Sequence, residues 1–184
     1  MTTTTARIYL AGPDVFAEDA AARFARLEAL CAGRGLHGVR PSDEGVAALR
    51  AAGMNPRDMA ARICAANIAH VRDCDAVLAN MAPFRGDTEP DSGTVFEVGL
   101  AVALGKPVTV YLPQAHEDLA ARIERLYGVR ASSTVAGASV DQRYGMLVED
   151  FGLPLNLMIA CSAGVHGDAG AALDELARRF TAGG

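Results

Sequence analysis

Apolar residues follow two rhythms along this chain. Continuous apolar runs of five or six residues read as buried strands. Stretches in which apolar residues recur every three or four positions read as helices. Residues 7–11 (Arg-Ile-Tyr-Leu-Ala) form the first run and end in Gly12-Pro13, a turn signal. Over residues 18–32, Phe24, Leu27, Leu30 and Cys31 share one face at helical spacing, and Gly33 and Gly35 stop that helix. Residues 36–40 predict a second strand, weakened by Gly38. Asn55-Pro56 is a helix start, with Asn as cap and Pro in the first turn, for a helix through Ile63, Ile68 and Val71 to residue 72. A strand over 75–80, a Pro- and Gly-rich loop over 81–93, a helix to 104, a strand over 108–112 and a helix over 117–126 follow. Residues 128–145 read as loop-rich, and 154–160 and 168–180 as helical.

Strands alternating with helices predict βαβ units around a parallel sheet covered on both faces. Ligands of such sheets sit beyond the carboxyl ends of the strands, near the switch point. The candidate site is therefore residues 12–16, the end of the 75–80 strand and the 81–97 segment.

Composition narrows the function classes. Seventeen Lys and Arg against 22 Asp and Glu give a net charge of −5, and the basic residues are scattered, so no nucleic-acid surface is expected. No apolar stretch approaches the ~20 residues of a membrane span. Residues 1–5 are a Thr tract without a signal-peptide pattern, so the expected compartment is the cytoplasm. Cys31, Cys64, Cys74 and Cys161 lack ligand spacing and read as free thiols; no metal or organic cofactor is implied. The length fits one domain over 1–184, with flexible ends at 1–5 and 181–184.

The segment after the first strand is not a G-x-G-x-x-G loop, and no phosphate-cradling G-x-x-x-x-G-K-[ST] occurs. What remains is a carboxylate pair. Thr94-Val95-Phe96-Glu97 fits a T-x-x-E capping box, in which Glu97 would only close a helix start. Alternatively, Glu97 is a carboxylate in the first helical turn at the ligand end of the sheet, where the helix dipole favours the ionised form of a nucleophile. Asp91, six residues earlier, reads either as a loop turn residue or as the second acid of a glycosyl-transfer site.

Taken together, Tyr9-Leu10-Ala11-Gly12-Pro13, the Asp91-Ser92-Gly93-Thr94-Val95-Phe96-Glu97-Val98-Gly99 segment with Gly105-Lys106-Pro107-Val108 behind it, and Leu155-Asn156-Leu157-Met158 resemble the nucleoside 2-deoxyribosyltransferases over roughly residues 7–160. The resemblance implies a flavodoxin-like, doubly wound α/β sandwich with a five-stranded, mostly parallel sheet. It implies homo-oligomers with sites shared between subunits, acting on a nucleoside and a free nucleobase. By the same resemblance, Glu97 is the nucleophile at the anomeric carbon, Asp91 holds sugar hydroxyls, and Tyr9 puts a hydroxyl near the nucleophile. Phe16 stands beside the base, and Asn156 and Met158 reach in from the adjacent subunit. Gly12 and Gly93 belong to the matching motifs, and Phe84 is a further ring near the site. Asn67 falls where many members carry a base-side acid. Without the family, Tyr9 and Phe16 read as core rings, Asn156 as a helix cap and Asn67 as a polar residue on an exposed helix face.

Two departures bear on chemistry. Asn67 cannot act as a titrating acid, and the chain ends Thr181-Ala182-Gly183-Gly184 where some members end in an aromatic residue whose carboxylate enters the site. The leading expectation is deoxyribosyl transfer by double displacement. The alternatives are N-glycosidic hydrolysis of (deoxy)nucleosides or their 5′-monophosphates, and a non-catalytic nucleotide-binding module. Arg85-Gly86 raises the question of a phosphate, whereas the Asp91 carboxylate would repel one.

Overall fold

The computed structural model describes residues 5–42 and 45–181. The expected flexible ends therefore lie outside the described residues, except Thr5 and Thr181. In chain order the elements are β1 (Arg7–Ala11), a 3-10 turn (Pro13–Phe16), α1 (Ala20–Ala32), β2 (His37–Val39), α2 (Val46–Ala51), α3 (Pro56–Asp73) and β3 (Ala76–Asn80). There follow α4 (Ser92–Ala103), β4 (Val108–Tyr111), α5 (Leu119–Tyr127), β5 (Val129–Ala131), β6 (Ser139–Asp141), α6 (Leu157–Ala160), β7 (Gly164–His166) and α7 (Ala169–Thr181).

Five strands form one sheet in the order β2-β1-β3-β4-β7, and every neighbouring pair is parallel. This is the flavodoxin-like winding, with the strand order reversing between β1 and β3, where a crevice opens at the carboxyl ends. The fifth strand, β7, is not among the predicted strands. Its three residues are too few to show a period, and pairing with β4 makes it a strand. The 128–145 region contains the antiparallel β5–β6 ribbon, Val129 opposite Asp141, rather than loop alone. Helix 154–160 is shorter than expected, because Asn156 caps it and only Leu157–Ala160 is helical.

Alternation along β1 decides what faces the site. Ile8 and Leu10 pack with Phe24 and Leu27 of α1 and Leu173 and Leu176 of α7 on one side of the sheet. Tyr9 and Ala11 point to the other side, against Val71 of α3 and Val98 and Ala101 of α4. Each such aliphatic burial stabilises the fold by about 2 kcal/mol. A one-residue slip of β1 would turn Tyr9 away from α4.

Candidate active site

The helix that carries Glu97 starts earlier than the T-x-x-E spacing suggests. Asp91 is the N-cap of α4: its Oδ2 accepts from the Thr94 amide at 2.9 Å and from the Thr94 hydroxyl at 3.0 Å. The capping box of Thr94 and Glu97 is therefore not formed. A carboxylate two residues ahead of Gly93 meets the first-turn amides before Thr94 can. Glu97 lies in the second turn, beyond the reach of the terminal amides, so the expected dipole stabilisation of its ionised form is corrected as well. Its pKa is instead pushed up to about 7, chiefly by burial. The Asp91 charge adds to the rise, and a hydrogen bond from Tyr9 opposes it.

That hydrogen bond runs from the Tyr9 hydroxyl to Glu97 Oε1 at 2.6 Å. Tyr9 is wholly buried (0% exposed), and burial together with the Glu97 charge holds its phenol far above the ordinary range. It is a permanent donor to the carboxylate. The reading of Tyr9 as a core ring also holds for its body: only the hydroxyl reaches the site.

A cavity of ≈330 Å³ lies over these groups, within the usual size range of small-molecule sites. Gly12, Phe16, Asn67, Asp91, Gly93 and Glu97 line it together, so six of the expected site residues meet in one space. Gly12 has to be small: a Cβ there would stand 2.8 Å from Asn80 Cβ and 2.9 Å from Asp14 Oδ2. Phe84 stands outside this lining but stacks on Phe16, with ring centroids 5.1 Å apart. The Arg85 guanidinium lies over both rings, at 4.6 and 5.3 Å from their centroids. Asn67 is not a free polar residue on an exposed face, because its Oδ1 accepts from the Ser42 amide at 2.7 Å.

Asn156 and Met158 are not in this cavity within the single chain. Asn156 caps α6, accepting from the Met158 amide and donating to Glu149 Oε2, while Met158 is 70% exposed. The cavity also contains Pro41, Ser42 and Val46, which the sequence reading passed over. The rule that ligands sit beyond strand ends, applied to β2 as it was to β1 and β3, points to them.

A larger cavity lies elsewhere. A space of ≈680 Å³ opens on the α1–α7 side of the sheet, lined by Asp14, Asp19, Arg23, Arg26, Tyr111 and Asp168 among others. Asp14 accepts from Asn80 and Arg23, Asp19 from Arg23, and Asp168 from the Ala171 amide, so its acids are all engaged. None of the expected site residues lines it. Among the described residues no group of three or more His, Cys, Asp or Glu is arranged to hold a metal ion, and no helix is long and apolar enough to cross a membrane.

Fold and site together define a flavodoxin-like α/β protein with a half-buried carboxylate, a tyrosine donor and a second carboxylate at its switch-point crevice. The chain belongs to the nucleoside 2-deoxyribosyltransferase family, whose model matches residues 8–158. It is similar to a solved 2-deoxyribosyltransferase from Leishmania mexicana, with 30% identity, a TM-score of 0.69, and coverage of 94% of this chain and 97% of that one. A 2-deoxyribosyltransferase from Bacillus psychrosaccharolyticus shares the fold at 18% identity and TM-score 0.52, over 92% of this chain and 91% of that one. An uncharacterised protein of Schizosaccharomyces pombe is 27% identical over 159 residues, 82% of this chain and 74% of that protein.

Proposed function

We propose that this chain, acting as one domain, transfers 2-deoxyribose between nucleobases by double displacement. Glu97 carries the reading: a half-buried carboxylate at a nucleoside-sized cavity, hydrogen-bonded by Tyr9 and with its pKa pushed up to about 7. A Glu97 carboxylate oxygen bonds to the anomeric carbon as the C–N bond to the base breaks, giving a deoxyribosyl ester. A second base then attacks that carbon and expels Glu97. Two inversions return the original configuration.

Other residues support the two steps. The Tyr9 hydroxyl stabilises the carboxylate when it is expelled. Asp91 uses Oδ2 for the helix cap and keeps Oδ1 for a sugar hydroxyl. Phe16, backed by Phe84, offers a ring to the base. Asn156 and Met158 are assigned to a neighbouring subunit's site. The run of exposed Tyr144, Met146, Leu147, Phe151 and Met158 supports that assignment, since apolar surface of this kind marks interfaces. Free thiols suit a reducing cytoplasm.

The test is base exchange. Incubated with deoxyinosine and adenine, the protein is expected to yield deoxyadenosine and hypoxanthine. Free deoxyribose formed at the same rate with and without adenine, and no new nucleoside, would overturn transfer in favour of hydrolysis.

A further inference from the structure

Asn67 lines both the cavity and a narrow apolar crevice of ≈160 Å³ behind it; Glu97 and Gly93 border both spaces. Its carboxamide orientation follows from one contact. The Ser42 backbone N–H can only donate, so the atom 2.7 Å away must be the Asn67 oxygen. The Nδ2 amino group is then what Asn67 has left to offer a ligand, and no acceptor among the described residues takes it. Around Asn67 the titratable groups of the described residues include Asp91 and Glu97 at the start of α4, Tyr9 of β1, and Cys64 and His70 of α3; His70 stacks on Tyr9 and lines a neighbouring space with Ser42 rather than the cavity itself. Asp91 is capping its helix, Glu97 faces Tyr9, and Cys64 lines the crevice rather than the cavity.

Resting on the transferase reading, we infer that Asn67 is a catalytic donor that stabilises the departing base as an anion, which makes donors with the more acidic bases the preferred substrates. As the Glu97 oxygen bonds to the anomeric carbon, the C–N electron pair stays on the base nitrogen. Asn67 donates hydrogen bonds to that base without giving up a proton, because a carboxamide has none to give at accessible pH. The base anion takes its proton from water after departure. An acid at this position would neutralise the leaving group; a neutral donor only shares its charge. The rate therefore follows how well each base carries negative charge.

The experiment measures kcat/KM for base release within each ring class, above the pH at which Glu97 ionises. The donors are deoxyinosine against deoxyadenosine, and 5-fluorodeoxyuridine against deoxyuridine and thymidine. The wild type is expected to lose roughly tenfold per unit rise in base pKa. Asn67→Ala should slow every donor by roughly 10- to 100-fold and keep that slope. Asn67→Asp keeps an acceptor for Ser42 but supplies an acid. It should flatten the slope and add a decline in rate as pH rises through the new acid's pKa. If Asn67 merely tethers Ser42, Asn67→Asp leaves the slope unchanged, which overturns the inference. A flat wild-type plot overturns it too, and Asp43→Asn and Glu44→Gln, next to Ser42 in sequence, then search for the acid responsible. No base release from any donor overturns the transferase reading itself.

Discussion

Two of the cavities at the carboxyl edge of the sheet share a wall, the 3-10 turn, which gives Asp14 to the larger and Val15 and Phe16 to the smaller. They differ in how their charged groups are satisfied. In the larger, each acid accepts from an arginine, an asparagine or a helix amide, so its ionisation is compensated in place. In the smaller, Glu97 has one neutral donor, an acid for a neighbour and, among the described residues, no cation, and its pKa rises to about 7. Size does not mark the site. An undercompensated carboxylate next to open space does, because its reactivity is bought with stability that the paired acids of the larger cavity keep.

The most severe break in this contrast is Glu97→Gln. The amide oxygen still accepts from Tyr9, but the nucleophile is gone, and base exchange should fall on the order of 10⁴-fold. The same variant should be the more stable protein at pH 8. Folding raises the Glu97 pKa above its ordinary value, so its protonated form favours the folded state most fully below pH 4.5. That contribution fades as pH rises through about 7. Glutamine has no charge to bury, and the gain, about 1–3 kcal/mol at pH 8 and near zero at pH 4, can be read from denaturant unfolding at the two pH values. Exchange surviving in this variant would return Glu97 to a purely structural role.

Tyr9→Phe should have the next largest effect. The wild-type kcat/KM is expected to rise with pH through about 7 as Glu97 ionises. The Tyr9 hydrogen bond favours the carboxylate form, so its removal shifts that rise to higher pH and costs roughly 10- to 100-fold at pH 7. A pH profile unmoved by the substitution would detach Tyr9 from the nucleophile.

Arg26→Ala should do least. Arg26 lines the larger cavity without an ion pair or hydrogen bond among the described residues, and its loss should leave exchange within threefold and stability within about 0.5 kcal/mol. A larger loss of exchange would show that the larger cavity takes part in the reaction and would dissolve the distinction drawn between the two.

Much of this organisation can be read along the chain. Four of the five sheet strands are expected from the sequence, β1, β3 and β4 as apolar runs and β2 more weakly, because Gly38 interrupts it. Asn55-Pro56 starts α3 as expected, with the Asn55 side chain accepting from the Asp58 amide. The Tyr9 and Asp91-to-Glu97 motifs are local patterns, so residue order alone carries them. Three things depended on distant parts of the chain. β7 is a strand because β4 offers it a partner, and the β5–β6 ribbon exists through pairing across ten residues. The cap of α4 passed from Thr94 to Asp91, because the spacing fits either start and only the folded backbone shows which oxygen meets the amides. The orientation of Asn67 depends on Ser42, 25 residues away. The sequence by itself determined the alternation of strands and helices and placed the carboxylates at a strand's end, since periodicity and motif spacing are local. Only the tertiary structure decided that Glu97 is half-buried with no cation beside it among the described residues and that Asn67 spends its oxygen as a tether, because burial and partner choice belong to packing between elements.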